Sequence, residues 1–454
     1  MPRLPSGGII PRIFDAATQG FVEASPHHST PTLASIYVCG ITPYDATHLG
    51  HAATYLAFDT LIRLWMDAGL DVRYVQNTTD IDDPLLERAK RDGLDWRELA
   101  ASQIKLFRGD MEKLGIIPPD EYVAVTEVIS DVADAVKILV QNGSAYRVPS
   151  PDAVDDLYFD SGFAVPAWHL GQESSLDRAT MLELSAQRGG DPLRPGKRDP
   201  LDPLLWRSER SGEPAWESSL GRGRPGWHIE CSVIALEHLP TPLTVNGGGR
   251  DLAFPHHEFS AGHAAALTGH PLAGIYAHAG MVAYEGEKMS KSLGNLVLVS
   301  RLVADGADPR AIRLALLSER YRSDWEWKDA HLRIADGRLA SWAAWAAAAS
   351  KGTPEGDSAV GDGAVADGAV ADCLPDDVGV HDTASNDTAS NDAASDGAAP
   401  EDAVFLAQLR ERLADDLDTP GAIAAIDAHI RGGAAATRVA IDALDALLGI
   451  RLAP

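Results

Sequence analysis

Apolar residues follow two alternating periods along the chain. Leu33-Ala-Ser-Ile-Tyr-Val-Cys39 is short, apolar and rich in β-favouring side chains, the pattern of a buried strand. It runs into Gly40-Ile41-Thr42-Pro43, which is turn chemistry. From about Ala52 to Ala68 the apolar positions take helical spacing, and Asp71-Val-Arg-Tyr-Val-Gln76 reads as strand again. Strand, helix, strand in that order predicts a parallel α/β sheet.

The same pattern divides the chain. Residues 1–32 read as a leader with one short hairpin, and 33–145 as a first α/β half, mostly helical from 85 onward. Residues 146–222, dense in Pro, Gly and charge, read as a connective insertion. A second half over 223–300 carries strand-like Leu243-Thr244-Val245 and Gly274-Ile275-Tyr276. An Ala-rich helical stretch follows over 301–350. Residues 351–402 hold five-residue repeats such as Gly363-Ala-Val-Ala-Asp367 and almost no large apolar side chains, so they predict a disordered acidic linker. Leu406, Leu409, Leu413 and Leu417 restore helical spacing in an end-piece over 403–454.

Composition narrows the classes. The 454 residues include 39 basic and 66 acidic side chains, a net of −27, which opposes non-specific binding to phosphate backbones. The 351–402 stretch, with 13 acidic residues and one lysine, supplies nearly half of that excess. Three cysteines, Cys39, Cys231 and Cys373, rule out a disulfide framework and suit a reducing cytoplasm. No run of about 18 apolar residues predicts a membrane span, and the N-terminus has no long apolar core of a signal peptide.

Candidate chemistry lies in three places. In Thr47-His48-Leu49-Gly50-His51, two imidazoles sit between a strand and a helix. There they can contact phosphate at a helix N-terminus, or form a metal-binding or core pair. Lys288-Met289-Ser290-Lys291-Ser292 places two lysines among small hydroxyl residues, which suits a mobile polyphosphate clamp or a solvated basic loop. Cys39, Cys231 in Gly226-Trp-His-Ile-Glu-Cys231, and His256-His257 lack compact metal spacing; buried structural cysteine is the plain reading.

In order and wording, these motifs resemble the HIGH-like and KMSKS signatures of the class I aminoacyl-tRNA synthetase superfamily. The resemblance implies an α/β Rossmann-like nucleotide-binding domain, split by an insertion, followed by a helical domain. It also implies adenylation of a carboxylate, with His48, His51, Lys288 and Lys291 handling ATP. Cys39-Gly40, Gly226-Trp-His-Ile-Glu-Cys231 and Gly247-Gly-Gly-Arg-Asp-Leu-Ala-Phe-Pro-His-His-Glu258 are similar to the cysteine-activating branch. There, two cysteines and a histidine bind Zn²⁺, which implies Cys39, Cys231 and His256 as ligands. The flanking His228, His257 and Glu258 are not expected to be ligands.

Two families share that branch: cysteinyl-tRNA synthetases, and ligases joining cysteine to the amine of glucosaminyl-inositol in mycothiol biosynthesis. Cys39-Gly-Ile-Thr-Pro-Tyr-Asp-Ala-Thr-His-Leu-Gly-His-Ala-Ala-Thr-Tyr55 and Asp80-Ile-Asp-Asp-Pro84 are similar to the ligases. So is Gln187-Arg-Gly-Gly-Asp-Pro192, with Gln187 where the ligases have Glu. Ser260 stands where the synthetase has a further Glu near zinc, and Asn246 where it usually has His. Only 34 residues follow Pro420, short for an anticodon-binding tail. The resemblance therefore implies L-cysteine, ATP with Mg²⁺ and glucosaminyl-inositol as substrates, no tRNA, and a monomer. The alternatives are a cysteinyl-tRNA synthetase or truncated paralogue, and a non-catalytic binding protein on the same fold. The ligase pattern further implies that Cys39, Gly40, Ile41, Thr42, Thr54, Asn77, Thr78, Thr79, Trp227, Gly249, Arg250, Asp251 and Val282 line a cysteinyl-adenylate pocket.

Overall fold

The apolar runs near 33–39 and 71–76 are strands, and they lie parallel, with Ile36 opposite Tyr74. The computed structural model describes residues 1–27, 29–44, 48–150, 154–289, 295–349 and 399–452. Most of the stretch read as a linker lies outside the described residues.

In chain order, a hairpin (β1 Arg12–Asp15, β2 Gly20–Glu23) precedes β3 Leu33–Val38, α1 Leu49–Asp67, β4 Asp71–Thr78, α2 Asp83–Asp92, α3 Trp96–Lys113, β5 Glu121–Ala124 and α4 Ile129–Gln141. Next come β6 Ala145–Val148, β7 Asp156–Phe159, α5 Arg178–Gln187, β8 Leu204–Ser208 and β9 Gly223–Pro225. The α/β pattern resumes with α6 Trp227–His238, β10 Val245–Gly249, α7 Glu258–Thr268 and β11 Tyr276–Ala279. After these lie β12 Val282–Tyr284, β13 Glu287–Lys288, α8 Val299–Ala304, α9 Pro309–Leu317, β14 Trp325–Trp327 and α10 Asp329–Ala349. The last described helices are α11 Pro400–Ala414, α12 Thr419–Arg431 and α13 Arg438–Leu448.

The central sheet has the order β11-β10-β3-β4-β5, all parallel. The first half grows outward from β3 and the second from β10, so the winding reverses between these neighbours. In doubly wound sheets, ligands occupy the crevice at the carboxyl ends of the strands beside such a reversal. The segment between the halves forms a separate antiparallel sheet, β6-β7-β8-β9.

Several boundaries depart from the sequence reading. Helix α1 starts at Leu49 because His48 caps it, with the Gly50 N–H donating to His48 Nδ1 at 3.1 Å. Strand β10 continues through three glycines, beyond the strand-like Leu243-Thr244-Val245. A Cβ on Gly247 would lie 2.6 Å from the Phe58 ring, so close approach of α1 needs a bare backbone there. The edge strand β5 and the three-residue β14 were missed; both are too short to show a period.

The C-terminal helices share a core with the sheet. Ile36, Leu61 and Leu64 belong to one buried cluster with Leu409, Leu413, Leu444 and Leu448. Asp59 ties this junction: its carboxylate receives Arg63 Nε at 2.8 Å, the Ile117 N–H at 2.8 Å and the Arg313 guanidinium. Arg313 also donates to the carbonyls of Leu114 (2.9 Å) and Leu448 (2.6 Å). No described helix is long and apolar enough to cross a membrane.

Candidate active site

The turn after β3 and the end of β10 meet at the reversal. The Cys39 N–H donates to the Gly247 carbonyl at 3.0 Å. The Gly40 N–H donates to Asn77 Oδ1 at 2.7 Å, and Asn77 Nδ2 reaches Thr79 Oγ1 at 3.0 Å. The Thr79 N–H returns to the Ile41 carbonyl at 3.1 Å. These bonds hold Cys39–Thr42 against Asn77–Thr79, with Ile41, Asn77, Thr78 and Thr79 buried and Thr42 half-buried. A Cβ on Gly40 would sit 1.7 Å from the Asn77 carbonyl oxygen. Gly40→Ala must therefore separate the two segments. It is expected to lower cysteine-dependent pyrophosphate exchange by at least about tenfold, the effect of only ~1.4 kcal/mol of lost transition-state positioning. An exchange rate equal to the parent's would show that this contact does not set the site.

The two histidines of the first motif cap and open α1, with ring centroids 4.0 Å apart. Thr54 donates to the Gly50 carbonyl at 3.1 Å, and its hydroxyl lies 3.9 Å from where a Gly249 Cβ would be. Buried Val282 lies across from Gly50. His48 pairs with Leu298 in an isolated bridge, and the Leu49 N–H donates to the Val297 carbonyl at 2.9 Å. The chain leaving the lysine motif is thus fastened to the start of α1. Lys288 ends β13, with its backbone opposite Ala283 of β12. Lys291 lies outside the described residues.

Cys39, Cys231 and His256 come together from the end of β3, from α6 and from the turn before α7. All three are buried, and one donor atom from each lies within 4.8 Å of the others. His256 Nε2 is 3.2 Å from Cys231 Sγ. Two thiols and an imidazole are a donor set for a borderline-soft divalent metal, and three ligands leave one tetrahedral position open. The residues present therefore fit a metal ion. Burial, with Cys231 alongside, pushes the Cys39 thiol well up. Burial also opposes ionisation of Cys231, but contacts with Cys39, His256 and Tyr37 outweigh it and hold that thiol well below its usual range. The pair is thus biased towards one thiolate even without a cation.

A ring of side chains orients these donors. His228 Nδ1 lies 3.0 Å from His256 Nδ1, and Trp227 packs over His256 with centroids 4.5 Å apart. His257 Nε2 approaches Cys39 Sγ at 3.3 Å, and its Nδ1 meets His278 Nε2 at 2.9 Å. Burial pushes His228 and His257 well below the usual range, and His278 down to about 4, so these rings are neutral at pH 7. Glu258 stands apart from the donor cluster. It accepts from Trp168 Nε1 (2.9 Å), the Gly171 N–H (2.9 Å) and Ser174 through both N–H (2.8 Å) and hydroxyl (2.7 Å), joining the inserted segment to α7.

Sequence reading missed two contributors. His278 carried a signal, a lone polar ring in an otherwise apolar strand. Arg188, in the Gln187-Arg-Gly-Gly-Asp-Pro192 motif, donates to the Asp251 carbonyl at 2.7 Å and also binds the Phe254 carbonyl, bracing the loop that carries His256. Gln187 itself is at the surface, bonded to Glu183 at 3.1 Å. Asp251 Oδ1 lies beside Gly249. Arg250 is half-exposed and reaches Asp324 at 2.9 Å.

Residues 26–337 match the family described as tRNA synthetases class I (C) catalytic domain. The chain is 60% identical to the L-cysteine:1D-myo-inositol 2-amino-2-deoxy-alpha-D-glucopyranoside ligase of Clavibacter sepedonicus, over 92% of this chain and 94% of the relative. The ligase of the same name from Kineococcus radiotolerans is 52% identical over 95% and 91%. This chain belongs to that ligase family. Solved structures share the class I synthetase fold. Mycobacterium tuberculosis methionyl-tRNA synthetase with methionyl-adenylate matches at a TM-score of 0.54 and 17% identity, over 92% of this chain and 82% of that one. Agrobacterium radiobacter LeuRS, in a ternary complex with tRNA and LeuAMS, matches at 0.59 and 13%, over 93% and 84%. Within the ligase family, the reversal between β3 and β10 and the convergence of Cys39, Cys231 and His256 acquire a common setting.

Proposed function

We propose that this enzyme joins L-cysteine to the amine of glucosaminyl-inositol, consuming ATP and releasing AMP and pyrophosphate. The observation that carries the reading is the buried Cys39–Cys231–His256 cluster, beside the His48-capped start of α1. A cysteine carboxylate oxygen attacks the α-phosphorus of ATP, forming cysteinyl-adenylate as pyrophosphate leaves. The sugar amine nitrogen then attacks the carbonyl carbon, the amide forms, AMP departs, and the amine loses a proton.

The three-donor site takes zinc, which when bound supplies a soft Lewis-acidic position that a serine hydroxyl cannot fill as a thiolate does. The chain's own residues do the rest. The Nδ1 of His256 faces His228, which fixes the ring so that Nε2 points at the cluster. His48 and His51, at the start of α1, contact phosphate oxygens, Lys288 and Lys291 supply positive charge to them, and Mg²⁺ accompanies ATP. Gly40, Ile41, Thr42, Thr54, Asn77, Thr78, Thr79, Trp227, Gly249, Asp251 and Val282 shape the adenylate pocket, with Arg250 at its rim. The enzyme acts as a cytoplasmic monomer without tRNA.

The experiment supplies each acceptor after cysteine activation. AMP release should accelerate with glucosaminyl-inositol and stay at background with tRNA. Acceleration by tRNA alone would reverse the assignment.

A further inference from the structure

A cavity of about 650 Å³ opens between α1, α3, the β4–β5 face of the sheet and the C-terminal turn. It is lined by Tyr55, Tyr74, Gln76, Arg108 and Tyr122, none of them among the residues assigned to activation. Folded interiors are close-packed, and specific small-molecule pockets span roughly 300–1,000 Å³. This space is therefore the size of a ligand site rather than a packing flaw.

Its wall carries five cationic side chains against the two carboxylates of Glu112 and Asp445. Gln76 is only 2% exposed, and its Nε2 has no hydrogen-bond partner. The Tyr74 hydroxyl donates to Gln76 Oε1 at 2.9 Å, which leaves the amide N–H groups as its unused face. The Tyr55 hydroxyl donates to the Cys39 carbonyl at 3.1 Å. Both tyrosine protons are therefore spent, and these walls offer ring faces. Arg108 lies over the Tyr122 ring at 4.2 Å and has no carboxylate partner among the described residues. The other cations there are engaged: Lys113 with Asp110, Arg310 with Asp308, Arg451 with Asp445 and Arg63 with Asp59. An unsatisfied buried donor, a guanidinium that makes no ion pair among the described residues even with Glu112 one turn away, and aromatic walls together ask for an acceptor-rich ring compound.

We propose that this cavity is a second ligand site, separate from the activation cleft, for a small ring-bearing organic anion. Tyr55 links the two sites, because it lines the cavity and holds the carbonyl of Cys39. A ligand that moved this ring would act on the turn that carries the first thiol.

The test titrates the full chain with phenyl phosphate and with benzoate, by calorimetry and ligand-observed NMR, using benzyl alcohol as the neutral control. At least one anion should bind saturably, bind more tightly than benzyl alcohol, and remain bound at saturating ATP and cysteine. Arg108→Ala, at an exposed position, and Gln76→Leu, of similar volume, should each weaken binding at least tenfold. Pyrophosphate exchange should stay near the parent's in both, as should the melting curve of Arg108→Ala, whereas Gln76→Leu, which takes the acceptor from the buried Tyr74 hydroxyl, should melt somewhat lower. Absence of binding by both anions, displacement by ATP, equal binding of the neutral ring, or undiminished binding in Arg108→Ala would each overturn the proposal. If Gln76→Leu fails to fold, Arg108→Ala alone decides.

Discussion

Cys231→Ala is expected to lose both bound zinc and cysteine activation. Of the three donors, Cys231 is the one whose surroundings already favour the thiolate, since His256, Cys39 and Tyr37 hold its pKa down against burial. Alanine leaves one thiol and one imidazole, too few to hold the ion against water or chelator. Zinc content by elemental analysis should fall from about one per chain to near zero. Cysteine-dependent pyrophosphate exchange should drop by at least about 10²–10³, the scale on which one strong electrostatic contact at a reacting group acts. Cys231→Ser keeps the volume and guards against a merely collapsed core. Prolonged chelation of the parent enzyme should reproduce the activity loss, and added zinc should restore it. Full zinc content and normal exchange in both variants would remove Cys231 from the site.

Asp59→Ala should produce the largest stability loss outside the site. The carboxylate is fully buried between two arginines, one on its own helix and one on α9. Burial alone would raise its pKa, yet Arg313 and Arg63 more than offset that and hold it below the usual range. Burial lowers Arg313 to about 10, so it remains charged at neutral pH. Removing Asp59 leaves two buried guanidinium groups uncompensated, and breaking a buried pair in this way costs about 3–5 kcal/mol. Because the carboxyl's folded pKa is depressed, its contribution is complete above the ordinary carboxylate range and fades as pH falls through that lower value. Urea unfolding at pH 7 should show the full deficit, and the gap between parent and variant should narrow in acid. A deficit under ~1 kcal/mol at pH 7 would mean that the network is dispensable.

Much of the site was legible because its members lie at the ends of patterned elements. The apolar run stopping at Cys39 and the two histidines before a helical period mark one edge of the crevice. The pairing of Cys39 with Cys231 and His256 was not visible in spacing, since more than 190 residues separate the two cysteines. Only resemblance suggested it, and the parallel register of β3 with β10 supplies the physical cause. Glycines 247–249 misled the strand boundary because the approach of α1 outweighs local propensity. Arg188 acts through its neighbours, a role that no local period encodes, whereas His278 marks itself only as a polar ring in an apolar strand.

The reversal of winding also bears on synthesis. Cys39 leaves the ribosome more than 200 residues before His256, and α13, which completes the core over α1, comes later still. At about 5–20 residues per second, the first thiol waits on the order of ten to forty seconds for its last partner. During that interval the nascent first half has exposed apolar surface and an unclaimed soft ligand. The three-donor cluster therefore closes only after His256 has been made, and until β10 pairs with it the β3 edge stays open to other strands.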